Sequence, residues 1–207
     1  MIATPSQDLA MLDWAWAGAA LDGDESGDAY LVAPLPHGAL LAVIDGLGHG
    51  PEAAVAAREA TSLLQVHPGR PLQELMDVCH EGLRKTRGVV MSLVAFDTRS
   101  STLEWCGVGN VEGVLLRANS VPGRSREAIS CRGGVVGYRL PATRVVSVSV
   151  SPGDLLVLAT DGIRPDFPDS IQQADAPQVI ADTLLARCAK VSDDRLVLVA
   201  RYLGIGQ

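Results

Sequence analysis

No lysine or arginine precedes Arg58 in this chain, while Asp8, Asp13, Asp22, Asp24, Glu25, Asp28 and Asp45 all do. Acids gathered without an internal cation need some other balance. Solvent serves exposed carboxylates such as Asp8 and Asp13, and a bound divalent cation serves carboxylates that converge. The whole chain carries a formal charge of -7, which argues against a nucleic-acid partner. Cysteine is also scarce: Cys79, Cys106, Cys131 and Cys188 are scattered without close pairs. That spacing argues against a disulfide framework or a zinc site and suits a reducing cytoplasm. No apolar run reaches membrane-spanning length, and the N-terminus lacks the basic-then-apolar layout of a secretion signal. Aromatic residues make up only 4% of 207 residues, a length that suits one globular domain, 1–207, expected to act as a monomer.

The stretch that organises the chain is Val43-Ile44-Asp45-Gly46-Leu47-Gly48-His49-Gly50-Pro51. An apolar run from Leu40 reads as a strand buried on both faces, and it stops abruptly at a carboxylate. Pro51 fits the first turn of a helix, with Glu52 suited to the positive helix start. Gly46, Gly48 and Gly50 would let a ligand approach the backbone closely. Taken alone, the stretch is equally a helix-capping turn or a functional carboxylate at a sheet edge.

Leu9 to Ala17 reads as a first strand, with Trp14 and Trp16 on one face and assigned to the core. An acidic turn, Asp22 to Asp28, leads into a strand from Ala29, and the turn from Pro34 to Gly38 closes a hairpin onto the Leu40 strand. Asp28 thereby begins the strand beside the one that ends at Asp45. Helices are expected from Pro51 to Leu64 and from Pro71 to about Arg84. In the second, Leu72, Leu75, Met76, Cys79 and Leu83 form an apolar stripe. His67 and His80 have no partner at metal-ligand spacing and read as structural or solvated. Strands follow at Val89–Phe96, Leu103–Cys106, Val111–Leu116, Val145–Val150 and Leu155–Ala159. The intervening segment, Arg117 to Gly137, carries Arg117, Arg124, Arg126 and Arg132. It reads first as a solvated loop and second as a basic surface for an acidic or phosphorylated partner.

The Leu155 strand runs straight into Thr160-Asp161-Gly162, repeating the logic of Asp45-Gly46. A helix from Pro177 to about Ala189 comes next, then Asp193-Asp194-Arg195 and a last strand, Leu196 to Tyr202. Acids at the ends of several apolar strands point to a metal cluster on a rigid sheet. Its all-oxygen donors favour Mg²⁺ or Mn²⁺ over zinc. A dinucleotide-binding loop is the rival reading, but a second helix stands where its next parallel strand and acidic residue belong.

Ile44-Asp45-Gly46, Cys106-Gly107-Val108-Gly109-Asn110, Pro152-Gly153-Asp154-Leu155, Ala159-Thr160-Asp161-Gly162 and Ser192-Asp193-Asp194 stand in a telling order. In that order the chain resembles the metal-dependent Ser/Thr protein phosphatases of the PP2C (PPM) superfamily. Asp45-Gly46-Leu47-Gly48-His49-Gly50 is similar to the bacterial SpoIIE/RsbU/RsbX branch, and the absence of an attached sensor domain is most like the RsbX-type stressosome phosphatases. The resemblance runs from about Ser26 to the end. It implies an α+β fold, a four-layer α/β/β/α sandwich of two antiparallel sheets flanked by helices. It also implies two Mn²⁺ or Mg²⁺ ions, with Asp45 bridging them and the Gly46 carbonyl completing one. Asp161 and Asp193 (or Asp194, which spacing cannot separate from it) would hold the other, and Asp28 would act on the first through water. The resemblance implies that Asp45 and Asp161 carry the catalytic role. The implied substrate is phosphoserine or phosphothreonine on a STAS-domain stressosome protein or an anti-anti-sigma factor. A catalytically silent binding domain of the same fold is the alternative.

Three departures from the eukaryotic-type members bear on chemistry. Leu47 stands where those members often place a leaving-group histidine, leaving His49 or a water for that role. No arginine precedes the acidic segment, so the metals or an arginine of the Arg117–Arg132 loop must bind the phosphate. Asn110 replaces an aspartate, which argues for two tightly held metals rather than three.

Overall fold

The protein is seen here in a computed structural model, which describes residues 9–21, 25–119 and 126–204. Asp8, Asp22, Gly23, Asp24 and Arg124 lie outside the described residues. In chain order the elements are β1 (Leu12–Ala19), β2 (Asp28–Leu35), β3 (Gly38–Gly46), α1 (Pro51–Val66), α2 (Leu72–Gly82), β4 (Val89–Asp97), β5 (Thr102–Val108), β6 (Glu112–Leu116), β7 (Arg126–Ile129), β8 (Val146–Ser149), β9 (Leu155–Ala159), α3 (Pro177–Cys188) and β10 (Arg195–Tyr202). They build two sheets, ordered β1-β10-β9-β6-β7 and β2-β3-β4-β5-β8, and every strand pairing is antiparallel.

Side-chain alternation along the central strands explains the layering. On β3, Ala39, Leu41 and Val43 enter the core between the sheets, while Leu40, Ala42 and Ile44 face α1 and α2. On β10, Leu196, Leu198, Ala200 and Tyr202 face the same inter-sheet core, while Val197 and Val199 pack with α3. A strand with helices on one side and a second sheet on the other has no polar face, which is why these runs are continuously apolar. Three cores stacked in this way make the α/β/β/α sandwich.

Small residues set the closest approach. Ala53, Ala54, Ala56, Ala57 and Ala60 are buried on α1. A Cβ added to Gly46 would lie 2.2 Å from the Ala53 carbonyl oxygen, so the helix start rests directly on the Asp45-Gly46 turn. The apolar stripe of α2 is buried at Leu72, Leu75, Met76, Cys79 and Leu83, and the His80 ring accepts the Gly137 amide through Nδ1 at 3.0 Å.

Two expectations need correction. Trp16 is not core: it is 42% exposed and lies against Tyr30 with ring centroids 4.6 Å apart, because β1 is an edge strand. Trp14 packs only at the margin of the inter-sheet core. The Arg117–Gly137 segment is not wholly loop, since β7 forms within it and pairs with β6. Nor does Arg117 belong to a free basic surface. Its guanidinium binds Glu127 Oε1 and, at 2.9 Å, Asp154 Oδ2, with its side chain only 18% exposed. Among the described residues no helix is long and apolar enough to cross a membrane.

Candidate active site

Each sheet delivers acids to the same end of the sandwich. In one sheet, Asp28 opens β2 and Asp45 stands one residue before the end of β3, directly opposite each other in the antiparallel register. In the other, Asp161 follows β9 and Asp193-Asp194 precede β10, and these strands pair through Val197 and Ala159. Apolar strands that end in carboxylates fix those groups where the buried sheet meets solvent. Asp45, Asp161 and Asp193 line one cavity of about 450 Å³, together with Gly48, Asn110 and Gly134.

The two sheets are tied together at this rim by a residue that sequence reasoning did not single out. Thr160 Oγ1 donates to Asp28 Oδ2 at 2.7 Å across the sheets, and the same oxygen accepts the Leu196 amide at 2.9 Å. Its only signal was its place in the Ala159-Thr160-Asp161-Gly162 motif. Asp161 Oδ2 accepts Asn110 Nδ2 at 2.6 Å, while Lys190 Nζ donates to the Asp161 carbonyl at 2.5 Å. Gly46 donates its amide to the Gly27 carbonyl at 2.9 Å, which docks the chain before β2 against the Asp45 turn.

The adjacent acids have different surroundings. Asp194 is buried, its two oxygens accepting the Leu21 and Gly27 amides at 2.7 Å each. Among the described residues Asp193 accepts only the neighbouring Asp194 amide, and it lines the cavity. His49 is exposed and is not part of the cavity wall, where Leu47 and Gly48 stand instead.

Burial and mutual repulsion dominate the electrostatics. Desolvation pushes the Asp45 carboxyl up to about 8, reinforced by the charges of Asp28, Asp161, Asp193 and Asp194. Asp28 rises to about 7 through burial, partly opposed by the Thr160 hydroxyl and assisted by Asp194, Asp161 and Asp193. Asp193 is also raised, by desolvation and then by Asp161. Such a group of acids ionises fully only beside a counter-cation, and oxygen donors alone suit a hard divalent ion. Among the described residues no three of these side chains already close on a single point as a preformed cage. The donor chemistry fits a divalent metal; a finished coordination shell is not built in.

The family described as Stage II sporulation protein E (SpoIIE) matches residues 36–203. Phosphoserine phosphatase RsbX of Bacillus subtilis is 21% identical over 169 residues, covering 81% of this chain and 83% of RsbX. A solved structure described as a bacterial stressosome, a modular system adapted to control secondary messenger signalling, is 29% identical. It superposes with a TM-score of 0.83 over 92% of this chain and 99% of its own. RsbX in complex with magnesium is 18% identical, with a TM-score of 0.83 over 98% and 100% of the two chains. The PP2C phosphatase domain of SpoIIE from Bacillus subtilis, solved with a fragment of its regulatory domain, is 23% identical. Its TM-score is 0.76, over 93% of this chain and 64% of that one. The chain belongs to the SpoIIE family and has its PP2C-type phosphatase fold.

Proposed function

We propose that this protein is a metal-dependent serine/threonine phosphatase that removes phosphate from phosphoserine or phosphothreonine on a folded bacterial signalling protein. The observation that carries this reading is the meeting of Asp28 and Asp45 from one sheet with Asp161 and Asp193 from the other at a single rim. Asp45, the Gly46 carbonyl, Asp161 and Asp193 would hold two Mn²⁺ or Mg²⁺ ions, with Asp28 acting through water. The chemistry such a pair supplies is a nucleophilic water at neutral pH and compensation of charge growing on the phosphoryl oxygens.

The chain's own residues supply placement. Thr160 fixes Asp28, Asn110 orients the Asp161 carboxylate, and Lys190 restrains the Asp161 backbone. At Gly48, Gly109 and Gly134 the cavity wall is bare backbone, so a phosphoryl group can approach it closely there. The exposure of His49 outside that wall supports solvent as the proton source for the departing serine or threonine oxygen. Asn110, already committed to Asp161, supports two tightly held ions rather than three.

The proposed substrate is a phosphorylated STAS-domain protein of the stressosome or anti-anti-sigma type, met in the cytoplasm. Support comes from the RsbX relative and from the stressosome structure that this chain resembles. Hydrolysis of p-nitrophenyl phosphate with added Mn²⁺ tests the chemistry: wild type should turn over and a folded Asp45→Asn variant should not. Equal rates in both end the phosphatase reading. Purified protein incubated with each phosphorylated partner, with and without Mn²⁺, separates the two substrate types.

A further inference from the structure

Among the described residues the cavity wall presents Asp45, Asp161 and Asp193 and no lysine or arginine, yet its proposed visitor is a phosphate dianion. An arginine stands at its edge from an unexpected direction. Arg87 lies on the turn between α2 and β4, and its Nη1 sits 2.9 Å from where a Cβ on Gly48 would project. Gly48 lines the cavity, so any side chain at that position would collide with the guanidinium. The other terminal nitrogen, Nη2, pairs with Glu52 in the first turn of α1.

The turn that carries Arg87 is anchored on both sides. Gly88 accepts the Leu47 amide through its carbonyl at 3.1 Å, and its own amide donates to Thr86 Oγ1 at 3.0 Å. Val89 and Val136 exchange backbone hydrogen bonds of 2.9 Å, tying the turn to the wall that Gly134 and Val135 form. The guanidinium therefore starts from a backbone fixed to both the Asp45 turn and the opposite wall. Its partner is weaker: Glu52 and Arg87 have side chains 70% and 48% exposed, and solvent screens such a pair. A phosphoryl group, with two oxygens matched to the arginine fork, competes well for that guanidinium.

We propose that Arg87 binds the substrate phosphoryl group at the rim beside Gly48, with Glu52 holding the guanidinium in place until phosphate displaces it. This rests on the phosphatase reading above and names the arginine that the acidic N-terminal segment lacks.

The test uses Mn²⁺-loaded full-length protein, with inorganic phosphate titrated by calorimetry and p-nitrophenyl phosphate kinetics alongside. Arg87→Ala should weaken phosphate binding and raise KM by about tenfold, with kcat changed by less than about threefold. Arg87→Lys should recover part of that loss, since a point charge replaces the fork. Glu52→Gln should tighten phosphate binding by about twofold, because a competitor is removed. An Arg87→Ala variant that hydrolyses substrate and binds phosphate within about twofold of wild type overturns the assignment and leaves the phosphatase reading intact. A wild type that hydrolyses no phosphomonoester but loses its phosphate binding on Arg87→Ala does the reverse. Should Arg87→Ala fail to fold, Glu52→Gln decides: tighter phosphate binding supports the site, and unchanged binding overturns it.

Discussion

Asp28 and Asp45 face each other as cross-strand partners at the end of the β2–β3 ladder, two acids in a place where like charges oppose folding. Burial raises them to about 7 and about 8, with repulsion from Asp194, Asp161 and Asp193 adding to Asp28 and repulsion from Asp28 first adding to Asp45. The folded chain therefore holds protons that the unfolded chain has already released. Stability of the metal-free protein is greatest near the ordinary carboxyl range. It falls as pH rises, on the order of 1 kcal/mol per pH unit for each group, and levels above about 8. Denaturant titrations in chelator at several values between pH 5.5 and 8.5, roughly the range over which these groups titrate, should show that decline. Asp45→Asn should flatten it, and saturating Mn²⁺ should offset it in wild type. A metal-free stability that rises with pH across this range would contradict the electrostatic account.

Asp193 lines the cavity while its neighbour Asp194 is buried on two backbone amides, and substitution should separate them. Asp194→Ala strips the Leu21 and Gly27 amides of a buried charged acceptor. The expected loss is about 2–4 kcal/mol, enough to lower the melting temperature by several degrees. Asp193→Asn should leave melting almost unchanged while weakening Mn²⁺ binding by calorimetry. If the two variants exchanged these outcomes, Asp194 would be the cavity ligand.

Glycines at the two Asp-Gly turns are required for space rather than for backbone conformation. A Cβ at Gly46 would lie 2.2 Å from the Ala53 carbonyl oxygen, and one at Gly162 would lie 1.8 Å from the Asp194 carbonyl oxygen. Backbone must move in either case. Gly46→Ala and Gly162→Ala should each cost about 1–3 kcal/mol and shift the adjacent aspartate enough to reduce turnover. Gly69→Ala, with open space around the new methyl, is the control and should be near neutral. Equal melting temperatures for all three variants would show that the turns yield without cost.

The strand-end acids were legible because the signal is local: a continuous apolar run, then Asp-Gly, then a turn. The pairing of Asp28 with Asp45 followed from hairpin logic, and the helix at Pro51 from its proline and its alanines. What escaped is long-range. Thr160 reaches Asp28 across 132 positions of chain, and no local pattern encodes a hydroxyl that bridges two sheets. Arg87 reaches Gly48 from a turn two helices later. Asp193 and Asp194 differ only in which way the chain points before β10. Trp16 looked like core because hydrophobicity was weighed without knowing that β1 is an edge.

Arg117 shows the same limit with an energetic consequence. Grouped by composition with Arg124, Arg126 and Arg132, it looked like surface; folded, it neutralises Asp154, which is 3% exposed. Asp154 also accepts the Ala118 and Ser151 amides at 2.8 and 3.1 Å, so it cannot turn out to water without breaking the turn before β9. Arg117→Ala leaves a buried carboxylate without its cation and should cost about 3 kcal/mol, read as a lower denaturation midpoint. Adding Asp154→Asn should recover part of that loss by removing the stranded charge. Neither residue lines the Asp45 cavity, so the KM for p-nitrophenyl phosphate should stay at its wild-type value below the melting transition. A variant of undiminished stability with raised KM would instead return Arg117 to the substrate surface.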